Sequence, residues 1–466
     1  MHHKFDLICL GSGPAALTVA TTCAKEKLKV AVVESRELGG TCALRGCNPK
    51  KVFTNAASLV DQFQRARGRL TRGSESHLEW SDLVAFQREF TEPVPELTEE
   101  KLRKLGIETF KGTAQFESEN VIRLGDMLLE AENVFIGVGA RPVPLKIPGE
   151  DLIVTSDDFM EINPLPADVV FLGGGFISFE FGSVAALAGS SVTIVDRNEL
   201  PLKSFDPDLV QLLEKTCRAA GIEILTETEI TSIQLVEGRK KLTLRTSSGT
   251  VTRMTDMIVH GGGRVANVGG MNLEAGGVDH GTRGIVVNEF LQSKSNPAVY
   301  AAGDCADSGV PMLTPTANES ARVAAKNIIS DHASRKISPA KAQGTDQPKN
   351  KVVFGCVAQV VFSIPPLAAA GLSEAEARHK GYDVDIRFQD LSTKGEVRKL
   401  CAPAAGCKII VDRETEQILG AHLLGPHAEE VINLFALAIQ VRMTATDLKA
   451  MLFSYPTMTA EFLRIL

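Results

Sequence analysis

The chain contains one structural unit twice, and each copy runs from an apolar strand through a glycine-rich turn and a helix into a second strand. The first copy reads FDLICL, GSGPAA, LTVATTCAKEK and KVAVVE, and the second reads VVFL, GGGFIS, FEFGSVAALAG and SVTIVD. The spacing from the first glycine to the closing acidic residue is 23 in both copies, from Gly11 to Glu34 and from Gly173 to Asp196. This pattern predicts two βαβ units, each with the fingerprint of a dinucleotide site.

The residue types in the first turn suit a bound dinucleotide. Gly11 and Gly13 let the backbone turn tightly and approach a pyrophosphate, and Ala16 lets the helix pack close to the strand. The helix N-terminus offers free N–H groups to the phosphates, and Glu34 can accept a hydrogen bond from a ribose diol. The second copy predicts the same roles for Gly173, Gly175, Ser178 and Asp196. The alternative is two nucleotide-type folds whose sites have been lost.

Two dinucleotide sites in one chain suggest one fixed and one exchanging cofactor, and a flavin reduced by a nicotinamide is the natural pair. A third segment, NPAVYAAGDCA, supports this interpretation. Its apolar strand ends in Gly303 and Asp304, and an aspartate in that position can hold a ribityl hydroxyl.

Composition excludes several other classes of protein. The net charge of −7 leaves no broad basic surface for nucleic acid or anionic lipid. No apolar run approaches the length of a membrane span, and the N-terminus lacks the layout of a signal peptide. Nine cysteines are too few for a disulfide scaffold, so reduced thiols and a cytoplasmic location are expected. We predict no nucleic-acid partner, no membrane association and no metal site.

Two cysteines, Cys42 and Cys47, follow the first unit in the segment GGTCALRGCNPKK. In a regular helix, Cα atoms five positions apart are about 8–9 Å apart, too far for a disulfide. A bridge therefore requires a distorted turn, which Gly46 and Pro49 would permit. Such a strained, accessible bridge would be easily reduced, so we favour a redox-active pair. A pair of unlinked thiols and half of a metal site remain alternatives, although no other Cys or His cluster supplies the missing ligands.

The rest of the chain contains a polar stretch and a separate C-terminal region. Residues 331–350 are polar and aperiodic, which predicts an exposed loop or linker. The segments after it predict an α+β domain. Within that domain, Cys401 and Cys407 are either an auxiliary redox pair or two thiols in a loop, and we favour the loop.

These segments, together with GVGARP, GGGRVAN, YAAGD, LTP and VVFSIPPLAAAGLSEAEA, resemble the flavin-dependent pyridine nucleotide–disulfide oxidoreductases over essentially the whole chain. That family includes glutathione reductase, lipoamide dehydrogenase and mercuric reductase. The resemblance implies an α/β fold with two Rossmann-like domains, the second inserted in the first, plus a C-terminal α+β dimerisation domain of a homodimer. The implied bounds are 1–150 and 265–345 for FAD, 151–264 for NAD(P)H and 346–466 for the interface.

The resemblance also implies a path for electrons from NAD(P)H through FAD to Cys47, with Cys42 as the thiol that attacks the substrate. Lys50 and Glu180 match an ion pair beside the flavin. Phe176 matches an aromatic residue that often covers the flavin, and the alternative is a plain core phenylalanine. The further cofactor-binding residues implied are Thr41, Gly139, Gly263, Gly303, Asp304 and Thr314.

The chain departs from the family near its C-terminus, where the disulfide reductases usually place a His-Pro pair and a glutamate. Here the histidine is replaced by Tyr455, and Glu461 stands one place late. A phenol holds only about 0.1% phenolate at pH 7, so the usual base is absent. Tyrosine at this position resembles the mercuric reductases, but this chain ends in FLRIL without their C-terminal cysteines.

The residues that would select between NADH and NADPH give mixed indications. Asp196 suits the 2′-hydroxyl of NADH, whereas Arg197 and Lys203 lie where glutathione reductases bind the 2′-phosphate of NADPH. We lean towards NADH. The sequence thus predicts a flavoprotein that passes electrons from NAD(P)H through a Cys42–Cys47 disulfide to an external acceptor. The favoured acceptor is another disulfide. The alternatives are reduction of metal ions or quinones, and a flavoprotein subunit of a larger redox complex.

Overall fold

The computed structural model describes residues 2–73, 76–337 and 349–466. The helices in these ranges are α1 Pro14–Lys25, α2 Gly40–Leu44, α3 Cys47–Ala66, α4 Trp80–Thr91, α5 Val94–Lys104, α6 Ser156–Phe159, α7 Phe176–Leu187, α8 Pro207–Ala219, α9 Thr314–Ile337, α10 Glu374–His379, α11 Gly395–Lys399, α12 Ala428–Gln440, α13 Ala445–Ala450 and α14 Met458–Leu463, with a 3₁₀ turn at Glu150–Leu152.

The strands are β1 His2–Leu10, β2 Val30–Glu34, β3 Glu108–Lys111, β4 Gln115–Ser118, β5 Val121–Leu124, β6 Met127–Ile136, β7 Ala140–Pro142, β8 Asp168–Leu172, β9 Ser191–Val195, β10 Glu223–Leu225, β11 Glu229–Val236, β12 Arg239–Thr246, β13 Gly249–Thr255, β14 Met257–His260, β15 Arg264–Ala266, β16 His280–Gly281, β17 Gly284–Val286, β18 Val299–Ala301, β19 Ala306–Asp307, β20 Gln359–Val361, β21 Leu367–Gly371, β22 Val384–Asp390, β23 Gly406–Asp412 and β24 Ile418–Leu424.

The chain forms two units, each assembled from three stretches of sequence. The first unit consists of Met1–Pro49, Arg88–Val143 and Arg264–Phe354. The second unit consists of Lys50–Gln87, Pro144–Gly263 and Gly355–Leu466.

The first unit is built on a seven-stranded sheet in the order β3-β2-β1-β6-β5-β4, with β18 also paired to β6. Strand β1 is parallel to both neighbours, and Leu7 lies opposite Val30 on β2 and Asn133 on β6. Its second half is buried on both faces, which explains why the sequence there is a continuous apolar run rather than an alternating one. Helix α1 connects β1 to β2 and packs against α9, so the predicted first βαβ unit is confirmed.

The second unit contains the second predicted βαβ unit, formed by β8, α7 and β9. These strands belong to a parallel sheet in the order β10-β9-β8-β14, and an antiparallel sheet β11-β12-β13 follows in the chain. Helix α7 is buried along most of its length, which agrees with its nearly all-apolar sequence. The C-terminal part is an antiparallel sheet, β20-β21-β24-β23-β22, with α12 packed on β21 and β24. It has the predicted α+β character.

The predicted linker at 331–350 is partly wrong, because α9 continues to Ile337. Polar side chains in its last turns bind the body of the first unit. The Tyr300 hydroxyl donates to Asp331 at 2.6 Å, and the His332 imidazole lies 2.9 Å from a Glu132 carboxylate oxygen. These contacts order a segment whose composition alone indicates a loop. Residues 338–348 of the prediction lie outside the described residues.

No helix in the described ranges is both long and apolar enough to span a membrane.

Candidate functional site

The two glycine turns have the same local geometry. Gly11 and Gly173 have φ of +98° and +95°, in the region that favours glycine. A Cβ on Gly11 would lie 2.6 Å from the Gly137 carbonyl oxygen, and one on Gly173 would lie 2.5 Å from Gly262 Cα. In each unit, therefore, the turn packs against a second glycine-containing segment so closely that a side chain would not fit.

Both turns lead directly into helices. Gly13 and Gly175 are the N-cap residues of α1 and α7, and neither helix has a side-chain cap. A Cβ on Gly13 would meet no atom within 4 Å, whereas one on Gly175 would lie 3.0 Å from the Gly261 carbonyl oxygen. The first N–H groups of a helix without a side-chain cap can donate hydrogen bonds to a pyrophosphate. The uncapped starts of both helices therefore fit the dinucleotides that the sequence predicts.

Glu34 holds the first turn in place. Its carboxylate accepts hydrogen bonds from the Ser12 N–H at 2.9 Å and the Ser12 hydroxyl at 2.7 Å. The Ser12 oxygen also accepts from the Gly39 N–H at 3.1 Å, and a Cβ on Gly40 would lie 2.3 Å from Gly13 Cα. The acid that is predicted to bind ribose is thus connected through the turn to the start of α2, which carries Cys42.

The predicted distortion between the two cysteines is present. Helix α2 ends at Leu44, Arg45 and Gly46 are non-helical, and α3 begins at Cys47. A Cβ on Gly46 would lie 2.9 Å from the Thr41 carbonyl oxygen, so glycine allows the chain to fold back on α2. This break separates Cys42 and Cys47 by a turn instead of by continuous helix.

Cys42 and Cys47 are free thiols, and the hydroxyl of Thr314 contacts both sulfur atoms. It lies 3.2 Å from the Cys42 Sγ and 3.5 Å from the Cys47 Sγ. A hydrogen bond with Cys47 and burial together raise the pKa of Cys42 well above its ordinary value, while Thr314 opposes this shift. Cys42 therefore holds its proton more tightly than an isolated thiol does.

Asp304 follows β18 in the same unit. Burial raises the pKa of its carboxyl group, whereas the positive charge of Arg264 opposes the shift. The Arg264 guanidinium also donates to the Ala140 carbonyl oxygen. Gly303, which precedes Asp304, has a φ of +76°. It lines a cavity of about 240 Å³ that also contacts Thr316 at the start of α9.

In the second unit, Lys50 and Glu180 form the predicted ion pair at 2.8 Å. The Glu180 side chain is fully buried, and its other oxygen accepts a hydrogen bond from the Phe362 N–H at 2.8 Å. The Lys50 ammonium lies 5.3 Å from the Phe176 ring centroid. Phe176 itself is 46% exposed, so the alternative of a plain core phenylalanine is wrong.

The residues predicted to bind the nicotinamide nucleotide lie in and near the second glycine turn. One Asp196 oxygen accepts from the Asn198 side chain at 2.8 Å, and burial raises the pKa of Asp196 although Lys203 opposes the shift. Arg197 and Lys203 are exposed. The Ser178 hydroxyl donates to the Gly173 carbonyl oxygen, so it stabilises the turn itself.

The remaining predicted residues lie in turns and at helix ends. Ala16 is fully buried, and a Cβ on Gly137 would come within 3.0 Å of its methyl group, which shows how tightly α1 packs. Gly139 and Gly263 have positive φ, and a Cβ on either would meet no atom within 4 Å. Thr41 lies in α2.

Tyr455 is 76% exposed and lies between α13 and α14. Glu461 is buried and pairs with Arg464 at 3.2 Å. Cys407 is fully buried in β23 and burial raises its pKa, whereas Cys401 lies after α11. A fully buried thiol is unsuited to exchange with a substrate, which argues against an auxiliary redox pair. The favoured interpretation of two thiols in a loop is nevertheless wrong for Cys407, which lies within a strand.

The structure brings Cys42, Cys47 and Thr314 together in one unit and Lys50 with Glu180 in the other. Sequence reasoning missed Ser12, which connects the first turn to α2, and Phe362, whose N–H binds Glu180. A serine between two glycines was the available signal for the first. No local signal marked the second, because it comes from a distant part of the chain.

Comparison with known families gives two matches. Residues 5–321 match the family described as pyridine nucleotide-disulphide oxidoreductase, and residues 357–464 match its dimerisation domain. A glutathione reductase from Nostoc sp. strain PCC 7120 is 28% identical and covers 99% of each chain. A mercuric reductase from Bacillus cereus is also 28% identical, with 100% of this chain and 71% of that protein covered.

A dihydrolipoyl dehydrogenase from Thermus scotoductus is 28% identical, with 98% of this chain and 95% of that protein covered. Among solved structures, the Cu(II) complex of the HOCl-induced flavoprotein disulfide reductase RclA from Escherichia coli has a TM-score of 0.84 and 24% identity, and 99% of each chain is covered. This structural likeness concerns the fold, which is the predicted mixed α/β class.

Proposed function

The chain belongs to the pyridine nucleotide-disulphide oxidoreductase family, and we propose that its Cys42–Cys47 pair passes electrons from NAD(P)H to an external disulfide. Enzymes of this family use FAD and NAD(P)H, and the dimerisation domain supports a homodimer. The observation that carries the proposal is the pair of thiols at the break between α2 and α3, which share a hydrogen bond and contact Thr314.

When bound, FAD supplies the two-electron chemistry between NAD(P)H and the cysteines. The chain's own residues would do the rest. Cys42, which is hydrogen-bonded to Cys47, attacks one sulfur of the external disulfide and passes its proton through water to the substrate thiolate that leaves. This forms a mixed disulfide on Cys42 and one substrate thiol. Cys47 then attacks the Cys42 sulfur and passes its proton to the second substrate thiolate, which leaves a Cys42–Cys47 disulfide and a second substrate thiol.

The proposed assignment of the first turn to FAD predicts different results for two glycine variants. Gly13→Ala places a methyl group in open space, so folding of the unloaded protein stays within about 1 kcal/mol of wild type. The same methyl group enters the region where the pyrophosphate would bind, so FAD content after purification falls about tenfold or more. Flavin absorbance per chain measures this loss. In Gly11→Ala, the new methyl group clashes with the Gly137 carbonyl oxygen, and the alanine must adopt the positive φ of Gly11. This variant therefore loses both stability and FAD content.

If Gly13→Ala kept its full flavin content while Gly11→Ala lost it, the first turn would be a folding element only. The proposed cofactor role of Gly13 would then be withdrawn.

The proposal is tested by counting thiols in the holoenzyme. One equivalent of NAD(P)H under anaerobic conditions converts the oxidised pair into two thiols, which iodoacetamide labels after denaturation. Peptide mapping then assigns the new label to Cys42 and Cys47. Glutathione disulfide or lipoamide added before denaturation removes that label. Label that appears on other cysteines, or that a disulfide substrate fails to remove, contradicts the proposal.

The second candidate is reduction of a thiophilic metal ion or a quinone, and the observation that favours it is Tyr455. These acceptors take electrons without protonation of a leaving thiolate, so they do not require the histidine that the disulfide reductases use. The mercuric reductase relative in the comparisons fits this acceptor class. A flavoprotein subunit of a larger redox complex is a third possibility, and purification with a stable partner would favour it. For the reductant, Asp196 supports NADH in preference to NADPH.

Replacement of Tyr455 separates the first two candidates. An imidazole titrates near pH 6.5 and a phenol near pH 10, so Tyr455→His adds an acid–base group that works at neutral pH. Disulfide turnover at pH 7 should rise about tenfold or more in this variant, since acid–base help is worth about 10²–10⁴ in rate. Steady-state rates with glutathione disulfide and a quinone measure the effect, and the quinone rate stays unchanged.

Tyr455→Phe is the matched control, with turnover expected within about threefold of wild type. A large loss of disulfide turnover in Tyr455→Phe would show that the hydroxyl group itself takes part, contrary to this account.

A further inference from the structure

Lys408 is a buried lysine on strand β23 of the second unit, with 3% of its side chain exposed. Its ammonium lies 2.8 Å from a carboxylate oxygen of Asp206 and also contacts the carboxylate of Asp208. A Glu374 oxygen lies 3.9 Å away. A buried ammonium persists only where carboxylates replace the water that it has lost. The Lys408–Asp206 ion pair therefore links the β9–α8 region to the C-terminal sheet.

The charges in this cluster are well defined. Burial acts to lower the pKa of Lys408, but its hydrogen bonds to Asp206 and Asp208 outweigh burial and raise it. His422 lies directly opposite Lys408 on β24, and burial lowers its pKa. The imidazole is thus neutral at pH 7, and Lys408 is the cation that faces Asp206.

Asp206 uses its carboxylate in two ways. It is the N-cap of α8, where one oxygen accepts from the N–H groups of Asp208 at 3.1 Å and Leu209 at 3.4 Å. The other oxygen accepts from Lys408, and the residue is 1% exposed. A single buried side chain therefore fixes the start of α8 and attaches it to β23.

The loop 197–205 runs from the end of β9 to this N-cap and carries Arg197 and Lys203. Within the loop, the Leu202 N–H donates to the Gly174 carbonyl oxygen at 2.8 Å. A Cβ on Gly174 would lie 2.6 Å from Pro201, so the loop also packs directly on the second glycine turn. The loop is held at the turn by these contacts and at its far end by the link to β23.

We propose that Lys408 is a positioning residue for the nicotinamide nucleotide: through Asp206 it fixes the loop that holds Arg197 and Lys203 at the adenosine 2′ position. This inference rests on the proposed function, because it assumes that the second glycine turn binds NAD(P)H. Lys408 does not itself touch the nucleotide. It sets how strongly the loop discriminates between a 2′-hydroxyl and a 2′-phosphate.

The test uses two dead-end probes, titrated into the holoenzyme by calorimetry. 2′,5′-ADP carries the 2′-phosphate that the loop would contact, whereas ADP-ribose carries the pyrophosphate that the glycine turn would bind. For Lys408→Met, we expect the Kd of 2′,5′-ADP to rise about tenfold or more and the Kd of ADP-ribose to rise less than about threefold. The ratio of the two constants is the readout, because general loosening of the protein weakens both probes together.

Ile409→Ala is the matched control. Ile409 is the next residue on β23, is fully buried and belongs to the core of the C-terminal sheet, so its truncation destabilises the same strand without touching Asp206. The ratio should stay at the wild-type value in Ile409→Ala and return towards it in Lys408→Arg. Asp206→Asn removes the charge pair but keeps an oxygen that can cap α8, and it serves as the second variant if Lys408→Met does not fold.

An unchanged ratio in Lys408→Met, or in Asp206→Asn where that variant is needed, overturns the inference. An equal change in Ile409→Ala overturns it as well. If the wild-type holoenzyme binds ADP-ribose but not 2′,5′-ADP, Arg197 and Lys203 do not bind a 2′-phosphate and the inference is overturned while the proposed function stands. If it binds neither probe, the proposed nucleotide site itself is wrong. Both results are visible before any variant is made.

Discussion

Cys42→Ser will lower the rate of disulfide reduction by at least about 10³-fold if the proposed function holds, since the variant loses the sulfur proposed to attack the substrate and a serine hydroxyl is not ionised near neutral pH. Reduction of the bound flavin by NAD(P)H will continue, because the proposed mechanism gives Cys42 no part in hydride delivery. The measurement is anaerobic NAD(P)H turnover with glutathione disulfide, lipoamide, metal ions and quinones. Stopped-flow absorbance of the flavin in the same preparation shows whether the first half of the reaction survives.

Cys401→Ser is the matched control, since this cysteine is also partly exposed but lies after α11, and its turnover should equal that of wild type. If the wild-type enzyme reduces only quinones or metal ions and Cys42→Ser retains that rate, the cysteine pair is auxiliary. The proposed disulfide substrate would then be withdrawn in favour of direct reduction by the flavin.

Lys50→Met will destabilise the second unit by about 3–5 kcal/mol, because it leaves the fully buried Glu180 carboxylate without its cation. The Phe362 N–H continues to donate to one oxygen and does not replace the lost charge. Trp80, the single tryptophan of the chain, reports on this unit, since its indole N–H donates to the Ile162 carbonyl oxygen at 2.7 Å and its ring packs on Phe53 of α3. Urea unfolding followed by tryptophan fluorescence measures the loss.

A second substitution identifies the cause of that loss. Lys50→Met combined with Glu180→Gln removes both charges and should recover more than half of the stability, because no unpaired carboxylate remains. Arg245→Met, which breaks an ion pair with Glu229 in the same unit, should cost less than about 1 kcal/mol, because these side chains are 65% and 41% exposed. Equal losses in Arg245→Met and Lys50→Met would show that burial of the Lys50–Glu180 pair does not increase its contribution to stability.

The two βαβ units could be predicted from the sequence because all the features that define them are local. A glycine turn, an apolar strand before it and a helical stretch after it lie within a few dozen residues, and the backbone requirement at Gly11 and Gly173 leaves little choice of residue. The break between α2 and α3 was also predictable, because Cys42 and Cys47 cannot approach each other in a continuous helix.

The contacts that organise the site could not be predicted in the same way. Ser12 binds Glu34 and Gly39, and these partners are brought to it only after the strand and α2 have folded back on the turn. Lys408 reads in the sequence as an ordinary charged residue of an apolar strand, and its partner Asp206 lies about 200 positions earlier. Pairings between such distant positions depend on the tertiary fold and leave no local pattern.

The error at 331–350 has the same origin. Polar, aperiodic composition predicts a loop because no apolar face is available to pack a helix. The last turns of α9 are instead held by a hydrogen bond from the Tyr300 hydroxyl to Asp331 and by the contact of His332 with the Glu132 carboxylate, and both partners lie outside the segment. A polar helix end of this kind has the composition of a linker, because the residues that order it lie elsewhere in the chain.

The discontinuous first unit has a consequence for synthesis of the protein. The edge of β6 at Val134–Ile136 pairs with β18, which begins at Val299, more than 160 residues later in the chain. At a translation rate of about 5–20 residues per second, this strand edge waits roughly 10–30 s for its partner. During that interval an apolar, hydrogen-bonding edge is open to other nascent chains. Newly made protein should therefore depend on chaperones far more than its finished structure would indicate, and slower translation should lower its yield.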